Sequence, residues 1–209
     1  MRYIPILIFS AFCLVLGPAG NTAHAAGKDG QQDLIKKAES YLQGLDELRA
    51  DFVQTTPQGN RLSGVFYLNR PGRLRFEYDG VSDFVVADGT FIYFYDSEIE
   101  SQSHALIGDT LAYFLLREDL KLSDDVSVQN AYETDQETIL TLVHSEDPDA
   151  GSLTLVFRNK PFQLHEWIVR DAGDNLTKVS LGDINREVDL DKDLFVYRDP
   201  KPDRPVYNE

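Results

Sequence analysis

Cysteine is nearly absent. The single one, Cys13, lies in a segment that reads as a removable leader, so no disulfide braces the rest of the chain. In an oxidising compartment such a chain must be held by one apolar core alone. Basic residues are also scarce, with 20 Lys and Arg against 35 Asp and Glu and a formal net charge of −15. Nucleic-acid phosphates and anionic membrane surfaces both demand clustered Lys and Arg, which excludes them as electrostatic partners. Beyond residues 4–16 no apolar run approaches the ~20 residues of a membrane span.

Catalytic signatures are missing as well. There is no Gly-x-Ser-x-Gly elbow, no Walker loop and no nucleophilic cysteine. His104, His144 and His165 lack companions at zinc-ligand spacing. His144 stands near Glu146, Asp147 and Asp149, but these lack EF-hand spacing and read as a solvated acidic turn. His165 reads as a packing residue on the strand face of Trp167. A hydrolase would need an acid/base pair such as Glu166 with His165 facing one cavity, and neighbours along a strand face opposite sides. The expectation is a protein without catalysis, cofactor or metal.

Met1 and Arg2 precede an apolar run over residues 4–16, and Ala23, His24 and Ala25 form a small-x-small site. This pattern predicts a secretory signal peptide over residues 1–25, cleaved after Ala25, and one domain over residues 26–209. Ser10, Ala11 and bulky Phe12 before Cys13 do not form a lipid-attachment box.

Asp33 is placed to cap a helix with Leu34, Ala38, Tyr41 and Leu45 on one stripe. Strands separated by polar turns follow to about residue 105 and resume from about 126 to 183. Between them Leu111, Phe114 and Leu115 recur at helical spacing after Asp109, predicting a short and unusually apolar helix. Regularly spaced strands of this kind predict a mainly antiparallel β fold with few helices. The Pro200, Pro202 and Pro205 tail suits neither a helix nor a central strand.

Residues 64–96 are the richest stretch. Leu74, Phe76 and Tyr78 alternate with Arg73, Arg75 and Glu77, giving one apolar and one polar face. In residues 91–95 the alternation fails, because Phe91, Tyr93 and Tyr95 point one way and Ile92 and Phe94 the other. Such a strand suits the centre of a sandwich, or a sheet whose concave face binds something apolar. Between two strands, Asn69, Arg70, Pro71 and Gly72 have the residue types of a type II turn, in which a flanking arginine is usually solvated. Asp88 and Gly89 suit a tight hairpin.

Taken in order, the N-terminal amphipathic helix, Phe52-x-Gln54, the strand from Gly64 into Arg70 and Pro71, Arg75 to Tyr78, Asp88 with Gly89, Tyr95 with Asp96 and the late Phe195 resemble the periplasmic outer-membrane lipoprotein carrier family, LolA. The resemblance implies an incomplete antiparallel β-barrel with a helical lid over a hydrophobic cavity, and a monomer without catalysis. The implied ligands are acylated lipoproteins. The implied partners are an inner-membrane lipoprotein-releasing ABC transporter and, where present, an outer-membrane receptor lipoprotein. By the same resemblance Arg70 latches the rim to the lid, Leu111, Phe114 and Leu115 belong to the lid, and Phe66, Leu68, Phe76, Tyr78, Phe91 and Tyr93 line the cavity. One departure is Leu111 after Thr110, where the family often has proline. A periplasmic lipid or lipoprotein sensor built on the same half-barrel is the alternative expectation.

Overall fold

A computed structural model describes residues 28–123 and 125–200; the leader and the proline-rich tail from residue 201 lie outside them. Helix α1 (Lys28–Gln43) comes first. Six strands follow: β1 (Glu47–Thr55), β2 (Arg61–Asn69), β3 (Arg73–Tyr78), β4 (Phe84–Asp88), β5 (Phe91–Asp96) and β6 (Ser101–Leu106). After the one-turn helix α2 (Tyr113–Leu116) come β7 (Val126–Glu133), β8 (Glu137–His144), β9 (Gly151–Asn159), β10 (Phe162–Asp171) and β11 (Leu176–Leu181).

The strands form one antiparallel sheet in the order β6-β5-β4-β3-β2-β1-β11-β10-β9-β8-β7. Each half is a run of hairpins, and the halves join where β1 pairs with β11. Among the described residues β6 and β7 are therefore the two edges of an open sheet, and the chain between them must travel from one edge to the other. That segment carries α2.

Directly paired residues share a face, so the register identifies the inner side. Leu48 pairs with Leu68, Leu68 with Leu74, Leu74 with Ala87 and Ala87 with Ile92. Ala50 leads likewise through Phe66, Phe76 and Val85 to Phe94. In the other half Trp167 pairs with Leu155, Leu155 with Leu140 and Leu140 with Ala131. These inner residues, excepting Phe94, belong to one apolar cluster with Leu42 and Ala38 of α1 and Phe114, Leu115 and Leu116 of α2.

The sheet is curled. Trp167 on β10 reaches the rings of Phe66 (5.3 Å) and Phe76 (6.2 Å), although β11 and β1 lie between β10 and β2 in the sheet. Gly64 allows close packing at the inner surface, since a Cβ there would stand 2.9 Å from the Phe52 ring and against the Glu77 carbonyl.

Three local expectations are corrected. Asp33 lies inside α1 and does not cap it, because the helix already begins by Lys28. The helix expected from Asp109 is a 3-10 turn (Ile107–Asp109) followed by the single turn α2, and the Thr110 hydroxyl bonds back to the Ile107 carbonyl at 2.8 Å. The Arg70–Pro71 peptide is cis, in place of the trans type II turn its residue types suggested.

Candidate functional site: a latched cover on an apolar sheet face

The inner face meets its cover at the Arg70 turn. The last carbonyls of an α-helix have no partner within it, and their partial negative charge favours a cation. α1 carries no basic residue in its last turn, and Arg70 supplies the charge from the β2–β3 turn. Its Nη1 donates to the carbonyls of Leu42 (2.5 Å) and Leu45 (3.3 Å). Its Nη2 donates to those of Arg117 (2.9 Å) and Glu118 (3.2 Å), directly after α2. The planar guanidinium fork can serve two directions at once, and here it joins the end of α1 to the end of the cover. Burial pulls its pKa down, opposed by the charge of Asp46, but a guanidinium remains protonated at any physiological pH.

Further bonds hold the same arrangement. The Gly72 amide donates to the Leu116 carbonyl at 2.8 Å, so the turn itself grips α2. On the far side Glu39 of α1 accepts from the Leu122 amide at 2.7 Å. Arg186 donates to the Gly44 carbonyl and lies over Tyr41, a second cation at the end of α1.

Beneath the cover, Phe66 and Leu68 are at most 1% exposed, and Phe114 is fully buried. Phe76 is also buried, and Tyr78 packs against the same core. Phe52 stands edge-on to both Phe76 (5.1 Å) and Tyr78 (5.3 Å). Leu115 is buried, Leu111 is partly buried against the cluster, and the Phe114 ring lies 4.6 Å from His144. The apolar interior is thus filled by the cover's own side chains in this conformation. Clefts of about 640 and 370 Å³ lie instead on the outer face, one lined by Thr141, Thr154 and Ile168, the other by Arg75, Phe84 and Leu194.

Phe91 and Tyr93 are not on the inner face. Tyr93 pairs with Val86, which pairs with Arg75, placing it outside, where it stacks on Tyr197 at 4.5 Å. Phe91 shares that face and lies against His104. The inner residues of β5 are Ile92 and Phe94. A strand apolar on both sides does not reveal which parity faces in, and only its register with β3 and β4 decides.

Trp167 is the inner-face residue whose role the sequence left open, and a bulge between Leu164 and Glu166 explains the difficulty. The extra residue leaves both Leu164 and Trp167 buried in the core, and it turns His165 and Glu166 together to the outer side. His165 pairs there with Glu137 at 3.0 Å, and Glu166 with Ser180 and Lys178. The opposite-sides expectation for that pair is therefore wrong, but neither residue faces the interior. Alternating leucines at 140, 142, 153 and 155 were the available signal for the second apolar wall.

Tyr78 donates to Gln54 at 2.9 Å, and burial, aided by the charge of Asp83 and opposed by that hydrogen bond, pushes its pKa up to about 12. The folded protein therefore keeps a proton that the unfolded chain releases near pH 10. Stability from this group is complete below pH 10 and is lost as pH rises through 12, a change of about 3 kcal/mol by linkage. Urea unfolding at pH 9 and 11.5 is expected to show a smaller alkaline loss for Tyr78→Phe than for wild type. Part of the loss remains, because burial also raises Tyr41.

The chain is similar to known proteins. Residues 43–198 match the profile of the family described as outer membrane lipoprotein carrier protein LolA. A protein from Chromohalobacter salexigens named outer-membrane lipoprotein carrier protein is 26% identical over 192 residues, covering 88% of each chain. One of the same name from Nitrosomonas europaea is 25% identical over 177 residues, covering 80% of this chain and 85% of its own. Among solved structures, a DUF1329 family protein from Desulfovibrio piger superposes with a TM-score of 0.50 at 11% identity, over 81% of this chain and 97% of that one. At that identity the likeness concerns the fold alone. With its open antiparallel sheet and a profile match over most of its length, this chain belongs to the LolA outer membrane lipoprotein carrier family.

Proposed function

We propose that this protein is a non-enzymatic periplasmic carrier that shields the acyl chains of lipoproteins on its inner sheet face. It takes cargo released from the inner membrane by an ABC transporter and surrenders it to an outer-membrane receptor lipoprotein. The observation that carries this reading is an apolar concave face whose cover Arg70 fastens through backbone carbonyls, with Glu39 and the Gly72 amide also holding it. The names of the related carriers support it.

Each buried CH₂ is worth about 0.8 kcal/mol against water, so a multiply acylated protein faces tens of kcal/mol if it crosses an aqueous space unshielded. Phe66, Leu68, Phe76, Tyr78 and Trp167 offer the shielding surface once Leu111, Phe114 and Leu115 move off it. Cover and acyl chains then compete for one surface. This competition weakens the grip on cargo and allows handover without a nucleotide.

The mature chain, residues 26–209, should be recovered from the envelope with Ala26 at its N-terminus. Mass spectrometry of that protein, with and without detergent, is expected to reveal acylated lipoprotein. Recovery of lipid-free protein alone from cells blocked in cargo release would overturn the proposal. Pull-down of a signalling protein, in place of a transporter and receptor, would favour the sensor alternative.

A further inference from the structure

On that carrier reading Arg70 holds the cover down; we propose that Arg117 acts in the opposite sense, as a positioning residue whose under-paired guanidinium destabilises the closed cover and eases entry of apolar cargo. The two arginines meet at one peptide group. Arg117 is the C-cap of α2, and its carbonyl is the acceptor of Arg70 Nη2. Its side chain turns inward and is only 8% exposed.

A guanidinium offers five N–H donors, and one withdrawn from water needs partners for them. Arg117 Nη1 donates to Asp125 Oδ1 at 2.6 Å, and the group lies 5.7 Å from the Tyr113 ring centroid. Among the described residues, Nε and Nη2 are both buried without a hydrogen-bond partner. Arg70 also leaves its Nε unpartnered among them, but there it makes four bonds against the one of Arg117.

The pair with Asp125 does little to offset this deficit. Asp125 is 48% exposed, so solvent screens its attraction for Arg117. Burial works to raise the Asp125 carboxyl, but the hydrogen bond and charge of Arg117, together with the Tyr113 hydroxyl, outweigh it and keep the group below the usual carboxylate range. The Asp125 carboxylate is therefore charged at neutral pH. Lifting the cover hydrates every Arg117 donor at little loss to Asp125, so the desolvation cost falls on the closed state alone.

The test uses the mature protein and the neutral apolar dye N-phenyl-1-naphthylamine, with emission of Trp167 as a second readout. Trp167 is the only tryptophan and lies in the core that the cover completes. Arg117→Met keeps the stem and the carbonyl that Arg70 uses but removes the unpaired donors. It is expected to weaken dye binding about tenfold, the low end of the range by which an apolar residue of similar volume in place of buried charge stabilises a folded arrangement. Asp125→Asn removes the counter-charge and should do the reverse, tightening dye binding and red-shifting Trp167. The double variant should follow Arg117→Met.

A structural staple would loosen in both single variants, so tighter or unchanged dye binding by Arg117→Met overturns the inference. If Arg117→Met does not fold, unchanged or weaker binding by Asp125→Asn overturns it, and tighter binding supports it. The dye is no lipoprotein, so opposite signs with no acyl cargo in envelope-derived protein would defeat the carrier reading alone. Cargo present without opposite signs would defeat only this inference.

Discussion

Arg70→Leu is expected to yield a folded protein that accepts acylated cargo but releases it up to about a hundredfold more slowly. The substitution removes the donors to four carbonyls, two at the end of α1 and two after α2. Hydrogen bonds to a charged group contribute about 1.5–3 kcal/mol each, and carbonyls re-solvated on opening return part of that. A net latch of about 3 kcal/mol corresponds to about a hundredfold shift between closed and open forms. Without it the cover no longer competes effectively for the inner face, so cargo is retained.

Hydrogen exchange across residues 113–118 should accelerate, and transfer of a fluorescent diacylated lipopeptide to acceptor vesicles should slow. Arg70→Lys should fall between the two, since an ammonium keeps the charge but loses the planar fork. Wild-type release rates in Arg70→Leu would remove Arg70 from the role of latch.

Trp167→Ala is expected to be the most damaging single truncation to stability, at about 3–5 kcal/mol. Trp167 lies at the place where the two halves of the sheet touch, against Phe66 and Phe76, and it is 7% exposed. Removing the indole loses its transfer energy and leaves a void that the curled sheet cannot close without changing its bend. A domain held by about 5–15 kcal/mol would lose a fifth or more of its margin. Equilibrium urea unfolding checks this, with Trp167→Phe expected to retain most of the stability. A loss below about 1 kcal/mol for the alanine variant would mean that Trp167 is not a main packing contact between the halves.

The strands were legible because alternation and turn chemistry are local. Leu74, Phe76 and Tyr78 announced an apolar face within six residues, and that face is the inner one. Where a residue's direction depended on a neighbouring strand, local reading failed. Phe91 and Tyr93 have the same apolar character as Ile92 and Phe94, and the extra residue in β10 silently reversed the parity between Leu164 and Trp167. α2 was legible as an apolar segment through Phe114 and Leu115, but not in its true length.

By itself the sequence determined the chemistry available: an acidic chain whose single cysteine lies in a leader-like segment, with more apolar strand surface than a simple core requires, and an apolar segment between two sets of strands. The tertiary structure alone decided that the sheet stays open, that β6 and β7 are its edges among the described residues, and that the chain between them must therefore cross from one to the other. It also decided what Arg70 meets. Its partners are backbone carbonyls, which every residue type carries alike, so no side-chain pattern could have named Leu42, Leu45, Arg117 and Glu118 as its acceptors.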